Sequence, residues 1–221
     1  MAAMATPVSA PPPSSLVGWL AAEAMDAGLA ALLWQLAEGG LPVTVAGPSG
    51  SGRHALIDAL MELRRAGVPL PPSRLPAVVE ADSLAAVNAR LAEPPFRAGE
   101  DELRTLGVVL ILARGADARP RVVAAHYVRP VERDGQGHVQ RRPPAVLSTW
   151  DPASGAFDDY AWGILPELAA RVAMEPRAFE AERERRAAYL SGLVAAGVTD
   201  PDDVRRALAG YLTTKPGGHR G

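Results

Sequence analysis

The chain has 221 residues, 48% hydrophobic and 22% charged, with 23 basic against 25 acidic side chains and a net charge of −2. This composition fits one compact domain, or a core with a small satellite, and excludes bulk disorder and a general basic attraction to nucleic acid or anionic membrane. There is no cysteine, which removes disulfides, zinc–thiolate sites and thiol catalysis together. Every basic residue but one is arginine, and the single lysine is Lys215.

Residues 1–13 are rich in proline and alanine and show no helical face, so a flexible lead-in is expected; they read as no secretion signal. Ser14 and Ser15 can cap a helix carrying Leu16, Trp19 and Leu20, which Gly28 is expected to break. Leu29, Leu32, Leu33 and Leu36 predict a second helix over residues 29–38, stopped by Gly39 and Gly40. A strand over 41–46, a glycine-rich turn and a helix over 53–66 with Leu56, Leu60 and Leu63 follow. A proline-rich connection leads to a brief strand at 77–80, and Asp82 or Ser83 can cap a helix through Leu91. Beyond a turn at Pro94 and Pro95, residues 108–112 are continuously apolar, the mark of a strand buried on both faces. Residues 121–128 predict another strand. The turn at Asp134-Gly135-Gln136-Gly137 predicts a hairpin whose return includes 145–149. From Trp162 the pattern is helical: Pro176 suits a first helical position, and Val204, Leu208 and Tyr211 line a last helix begun at Asp200-Pro201. The Arg- and Glu-rich run over 180–186 reads as a solvated helix face with i,i+4 pairs.

A short apolar strand, a glycine-rich turn and an amphipathic helix form the setting of a phosphate-binding loop, where backbone N–H groups and the helix N-terminus surround an anion. The motif is G-x-x-x-x-G-K-[ST]; the chain reads Gly47-Pro48-Ser49-Gly50-Ser51-Gly52-Arg53-His54. The glycine spacing is intact, and both side chains after it are changed. A guanidinium is no equivalent of the compact ammonium that meets the β- and γ-phosphates. The imidazole of His54 is a poor ligand for magnesium, which prefers oxygen. The anion cradle of residues 47–54 is therefore expected to outlast the catalytic electrostatics, with a plain glycine-rich turn as the other reading.

The residues around the loop carry a resemblance. The helix over 29–40 with the strand running into Gly47 to Gly52, and His54 to Leu60 after them, resemble the approach to and exit from the loop in the secretion ATPases. These serve type II secretion, type IV pilus and tight-adherence systems, and the likeness is strongest to their archaeal-like branch. Residues 81–95 resemble the segment after that family's histidine box. Residues 106–114 with Arg119-Pro120-Arg121 are similar to its closing strands. Thr149-Trp150-Asp151-Pro152 with Phe157, residues 182–190 and residues 203–211 resemble its C-terminal helical region. The resemblance spans most of residues 29–212. In the family a long stretch with an acidic box and a Walker B strand separates the loop helix from the histidine box. Here about fifteen residues lie between Ala66 and Ala81, so this chain looks like a member with its catalytic middle removed. Glu80 stands either where the family has its box histidine or in the acidic-box strand.

The resemblance implies an α/β fold: a shortened RecA-like sheet over residues 14–160, with N-terminal helices, a C-terminal helical subdomain over 161–212 and a flexible tail over 213–221. Losing the lysine, the magnesium hydroxyl and the Walker B carboxylate together should remove most of the stabilisation of phosphoryl transfer. The expected function is a non-hydrolysing accessory or assembly subunit of a secretion or pilus machine, with no catalytic residues. The alternatives are a nucleotide-binding regulator using the remnant loop, or a weak ATPase completed by a partner subunit. ATP is then a ligand for binding only, and Mg²⁺ is not expected to be held. The implied partners are machine components, an active homologous ATPase among them, or further copies of the chain. No nucleic acid and no direct membrane insertion are expected of a cytoplasmic protein of this kind, which would meet the membrane only through partners. His54, His126, His138 and His219 show no metal-ligand spacing, and His126 is expected to pack or cap at a strand end. Asp158-Asp159 and Asp202-Asp203 read as loop and helix-start acids. Trp19, Trp34, Trp150 and Trp162 read as packing residues, any exposed one marking an interface.

Overall fold

The computed structural model describes residues 11–61, 63, 75–115 and 117–213. Helix α1 (Leu16–Ala21) starts where the Ser15 hydroxyl accepts from Gly18 N at 3.0 Å while donating to Thr199 O at 2.6 Å, tying the first helix to the last interhelical turn. Gly28 does not break this helix. The interruption lies between Ala21 and Asp26, and Gly28 is the second residue of α2 (Ala27–Glu38), whose N-cap Asp26 accepts from Leu29 N at 2.7 Å. A capping carboxylate two residues upstream starts the helix, and Gly28 is tolerated in the first turn behind that cap. From Leu29 to Ala37 every residue of α2 is buried, so this helix lies inside the molecule rather than on it.

Strands β1 (Val43–Gly47), β2 (Val78–Glu80), β3 (Val108–Arg114), β4 (Pro120–Tyr127), β7 (Ala145–Trp150) and β8 (Phe157–Asp159) form one sheet in the order β2-β1-β3-β4-β7-β8. β1 pairs in parallel with both β2 and β3, and the remaining pairs are antiparallel. The turn at residues 134–137 closes a separate two-stranded arm, β5 (Glu132–Arg133) with β6 (Val139–Gln140). The expected return over 145–149 falls instead in β7, which pairs with β4 in the main sheet.

Helix α3 (Arg53–Met61) connects β1 to β2; α4 (Leu84–Ala92) and the single turn α5 (Glu100–Leu103) connect β2 to β3. One connection steps to the left of β1 and the other crosses to its right, so right-handed crossovers place α3 and α4 on opposite faces. The alternation of the strands obeys this. Val45, Val108, Leu110 and Leu112 pack with α1, α2 and α3, whereas Ala46, Val79, Val109 and Ile111 pack with Val87 and Leu91 of α4. The unbroken apolar run of β3 is thus buried on both faces.

After a 3₁₀ turn (Ala161–Ile164), α6 (Leu165–Arg171), α7 (Pro176–Ala195) and α8 (Pro201–Thr213) share the first of these cores with α1–α3. The charged run over 180–186 is not wholly a solvated face. Glu182 and Arg186 are 1% and 2% exposed, while Glu180, Glu184 and Arg185 face water. The reason is pairing: Arg186 bonds Glu182 Oε1 at 2.8 Å and Glu38 Oε2 at 2.6 Å, and its guanidinium lies 4.5 Å from the centre of the Trp34 ring. Such a group can be buried because its charge is met within the core. Trp19 and Trp34 are fully buried, and Trp162 is exposed. Among the described residues no helix is long and apolar enough to cross a membrane. The expected continuation of α3 to residue 66 and the 213–221 tail lie outside the described residues, except Leu63, which is buried, and Thr213, which ends α8.

Candidate functional site: the glycine-rich turn after β1

Because the connections that follow β1 and its neighbour β2 run to opposite faces, the carboxyl ends of these strands form a topological switch point, the place where open α/β sheets form a crevice. The turn Gly47-Pro48-Ser49-Gly50-Ser51-Gly52 occupies it and leads into α3 at Arg53. Ser51 N donates to Pro48 O at 3.1 Å, which folds the turn on itself. Gly50 and Gly52 hold φ of +74° and +91°, a region that favours glycine. Gly47 is required for space: a Cβ there would stand 2.9 Å from both Cβ and O of Leu112 in β3, and 2.6 Å from the Ser51 hydroxyl. A Cβ on Gly52 would come within 3.1 Å of Pro12 and of the Trp19 ring, so the lead-in and α1 cover that side of the turn.

Arg53 and His54 diverge. His54 is exposed. Arg53, its side chain 11% exposed, turns back under the loop and donates from Nη1 to Gly47 O at 2.6 Å and to Val79 O at 3.1 Å. Its Nη2 lies 3.4 Å from Glu80 Oε2. Glu80 pairs with Gly47 across the parallel β1–β2 register, which sets its carboxylate at the carboxyl end of the sheet beside the turn. On the other side, Arg114 at the end of β3 donates from Nη2 to Gly50 O and from Nη1 to Ala118 O. Two guanidinium groups therefore brace the turn through its carbonyls, Gly47 from below and Gly50 from the rim.

The chemistry available follows from what is left. Pro48, Ser49 and Gly50 are exposed, and the first N–H groups of α3, those of Arg53, His54 and Ala55, have no partner within a helix. The Ser51 hydroxyl is buried with no hydrogen-bond partner among the described residues. These donors fit an anion such as a phosphate group. They do not fit a magnesium ion: the motif's hydroxyl position is the imidazole of His54, and the carboxylate beside the turn among the described residues, Glu80, already faces a guanidinium. Lys215, the chain's single lysine, lies outside the described residues, and Arg53 directs Nη1 to main-chain oxygens and Nη2 to Glu80.

The eight loop residues are thus brought together as the spacing required, but Arg53 points into the sheet rather than around the turn. Reasoning from the motif missed Arg114 as a loop contact. Its signal was available only through topology, since it ends the strand that lies parallel to β1. Among the described residues no three His, Asp or Glu side chains gather as a metal site. His126 lies within β4, half-buried, and burial pushes its imidazole below the ordinary value. His138 faces Asp134 at 3.0 Å on the exposed arm. Asp159 pairs with Arg183 at 2.7 Å, Asp202 and Asp203 sit in the first turn of α8, and His219 lies outside the described residues. No protein-family model matches the chain, and no curated protein matches it.

Proposed function

We propose that this protein is a non-hydrolysing relative of the secretion ATPases, an accessory or assembly subunit of a type II secretion, pilus or tight-adherence machine. The observation that carries the reading is the placement of Arg53. The side chain that follows the loop, where a working enzyme needs a cation reaching the terminal phosphates, is instead bonded to Gly47 O and Val79 O beneath it. The loop is kept in shape by its own arginine, and phosphoryl transfer loses its main electrostatic partner. The family assignment rests on the ordered sequence resemblance over residues 29–212, and the α/β sheet with its loop at the switch point is compatible with it.

A second reading has one observation in its favour. The partnerless Ser51 hydroxyl and the left-handed glycines keep donors around the turn, as a nucleotide-binding regulator would need. One set of measurements separates the two. Purified protein is assayed for ATP turnover with magnesium, titrated with ATP with and without chelator, and mixed with an active secretion ATPase at equal stoichiometry. The subunit reading expects no turnover, no ATP binding in the millimolar range, and a changed rate for the active enzyme. Magnesium-independent ATP binding lost on Ser51→Val selects the regulator. Turnover that disappears with Arg53→Ala overturns both.

A further inference from the structure

At the opposite end of the sheet from the glycine turn, a cleft of about 630 Å³ opens where β1 and β3 begin and β4 ends. That volume is in the range of small-molecule sites. Its polar wall is made by Asp101, Arg104 and Thr105 at the end of α5, Tyr127 at the end of β4, Arg133 on the β5–β6 arm, and Arg171 in the last turn of α6. Three guanidinium groups therefore face one carboxylate, and that carboxylate is taken: Arg141 Nε donates to Asp101 at 2.8 Å. Thr105 is also engaged, its hydroxyl donating to Glu102 O at 2.7 Å.

The unsatisfied atoms on this wall are donors. Tyr127 is 1% exposed, and among the described residues neither its hydroxyl nor the buried Nε of Arg104 has a hydrogen-bond partner. A buried polar atom left unpaired carries the cost of its lost hydration, so two beside one cleft mark a place where an acceptor is missing. The terminal nitrogens of Arg104 are held by Arg142 O at 2.7 Å and Glu100 at 3.3 Å, which fixes the guanidinium in place. Arg133 makes one long bond, 3.4 Å to Gly137 O, and Arg171 is exposed with no ion-pair partner among the described residues. Burial, the largest influence, pushes the Tyr127 hydroxyl above its ordinary value; the charges of Arg171 and Arg129 act against this, and those of Glu167 and Glu132 act with it. The carboxyl end of α2 also borders the cleft, but its carbonyls at Gln35, Leu36 and Ala37 already accept from Gly39, Leu41 and Gly40. They do not offer a ring of free acceptors for a cation.

We propose that this cleft binds a small anion bearing phosphate or carboxylate groups, held between Arg133 and Arg171 with the Tyr127 hydroxyl and Arg104 Nε as inner donors. Arginine suits the task because its planar fork meets both oxyanion types with paired charge-assisted bonds. The site is separate from the glycine turn and does not rest on the secretion-ATPase reading.

The test is calorimetric titration of the full chain at low salt with pyrophosphate and, separately, with citrate, so that the two sources of anionic chemistry are distinguished. Binding of at least one is expected in the millimolar range or tighter. Arg171→Ala should weaken it roughly tenfold or more and Tyr127→Phe by a few-fold, as lost bonds to a charged ligand do. Arg171 is exposed and Tyr127→Phe keeps the ring in the core, so both variants should fold. Arg90→Ala, on the exposed face of α4 and outside the cleft, should leave the affinity unchanged. Failure of both anions to bind at millimolar concentration overturns the proposal. So does binding that is unaffected by both Arg171→Ala and Tyr127→Phe.

Discussion

Arg53 Nη1 donates to Gly47 O at 2.6 Å, so the side chain that ends the glycine turn holds the residue that begins it. The same nitrogen reaches Val79 O at 3.1 Å and so joins β1, β2 and α3 at one point. Hydrogen bonds to a charged donor contribute about 1.5–3 kcal/mol each when the acceptor is left without water. Arg53→Ala should therefore lower the unfolding free energy by about 2 kcal/mol, read from urea denaturation. Glu80→Gln should change little, because Glu80 is 65% exposed and its pairing with Arg53 is screened. Equal losses from the two substitutions would place the strength of this corner in the ion pair and not in the carbonyl bonds.

Gly47 and Gly50 look alike in the motif and should respond differently to alanine. At Gly47 the obstacle is fixed: β3 backbone and the Leu112 Cβ lie 2.9 Å from an added carbon. Overpacking of this kind costs about 1–3 kcal/mol. At Gly50 the nearest atom is the end of a flexible Arg114 side chain at 3.9 Å, and the cost is that of a left-handed φ, about 1–2 kcal/mol. Thermal unfolding of the two single variants should rank Gly47→Ala as the worse. The reverse order would show that the turn is free to move away from β3.

The buried ion cluster of α7 is a third place to look. Arg186→Ala takes from Glu182, 1% exposed, its buried cation and leaves Arg185, 60% exposed, at 2.7 Å; the expected loss is about 3–5 kcal/mol. Replacing the pair together, Arg186→Met with Glu182→Leu, should recover much of that loss, because the apolar pair needs no desolvation to be offset. A double variant as unstable as Arg186→Ala would mean that Glu38 and Trp34, the other neighbours of the guanidinium, dominate the cluster.

These sites show what the sequence makes legible. The strand–turn–helix order around Gly47 and the two-faced burial of β3 follow from local apolar spacing and glycine placement, and both are present in the structure. The burial of Glu182 and Arg186 does not follow from spacing. An i,i+4 Glu–Arg pair reads as a solvated face until a partner helix, here α2 with Glu38 and Trp34, covers it. Gly28 was misread for a related reason: glycine marks many helix ends, but Asp26 in front of it supplies a cap, and capping decides where α2 begins. At the candidate site, the loop residues were legible, whereas the direction of the Arg53 side chain and the contact from Arg114 depend on which strands flank β1.

The β3–β4 turn carries a titratable marker. Arg121 donates twice to Asp117, at 2.8 and 2.9 Å, and the side-chain bond from Arg121 holds the Asp117 carboxyl down at about 2. A depressed carboxylate stabilises the fold above its ordinary value of 3.8 and gives that stability up as pH falls toward about 2. Asp117 is exposed, so the effect on global unfolding is modest, and the sharper measurement is an NMR titration of its carboxyl carbon. Arg121→Gln should return the midpoint toward the ordinary value. A wild-type midpoint already at that value would show that the pair is open in solution.

Asp26 has the opposite sign. Burial, the largest influence, raises its carboxyl above 3.8, against the lowering effects of the bond from Leu29 N and the charge of Arg183. The folded state then keeps a proton that the unfolded chain has released, so this residue's contribution is most favourable below 3.8 and declines as pH rises through the folded value. Asn at the same position caps a helix about as well as Asp but carries no charge to desolvate. Asp26→Asn should therefore match or exceed the wild type in stability at neutral pH, with the gap closing on acidification. Asp26→Ala should lose about 1 kcal/mol with the cap. If Asp26→Asn is as destabilised at neutral pH as Asp26→Ala, the attraction of Arg183 outweighs the cost of burial and the carboxylate is there for its charge.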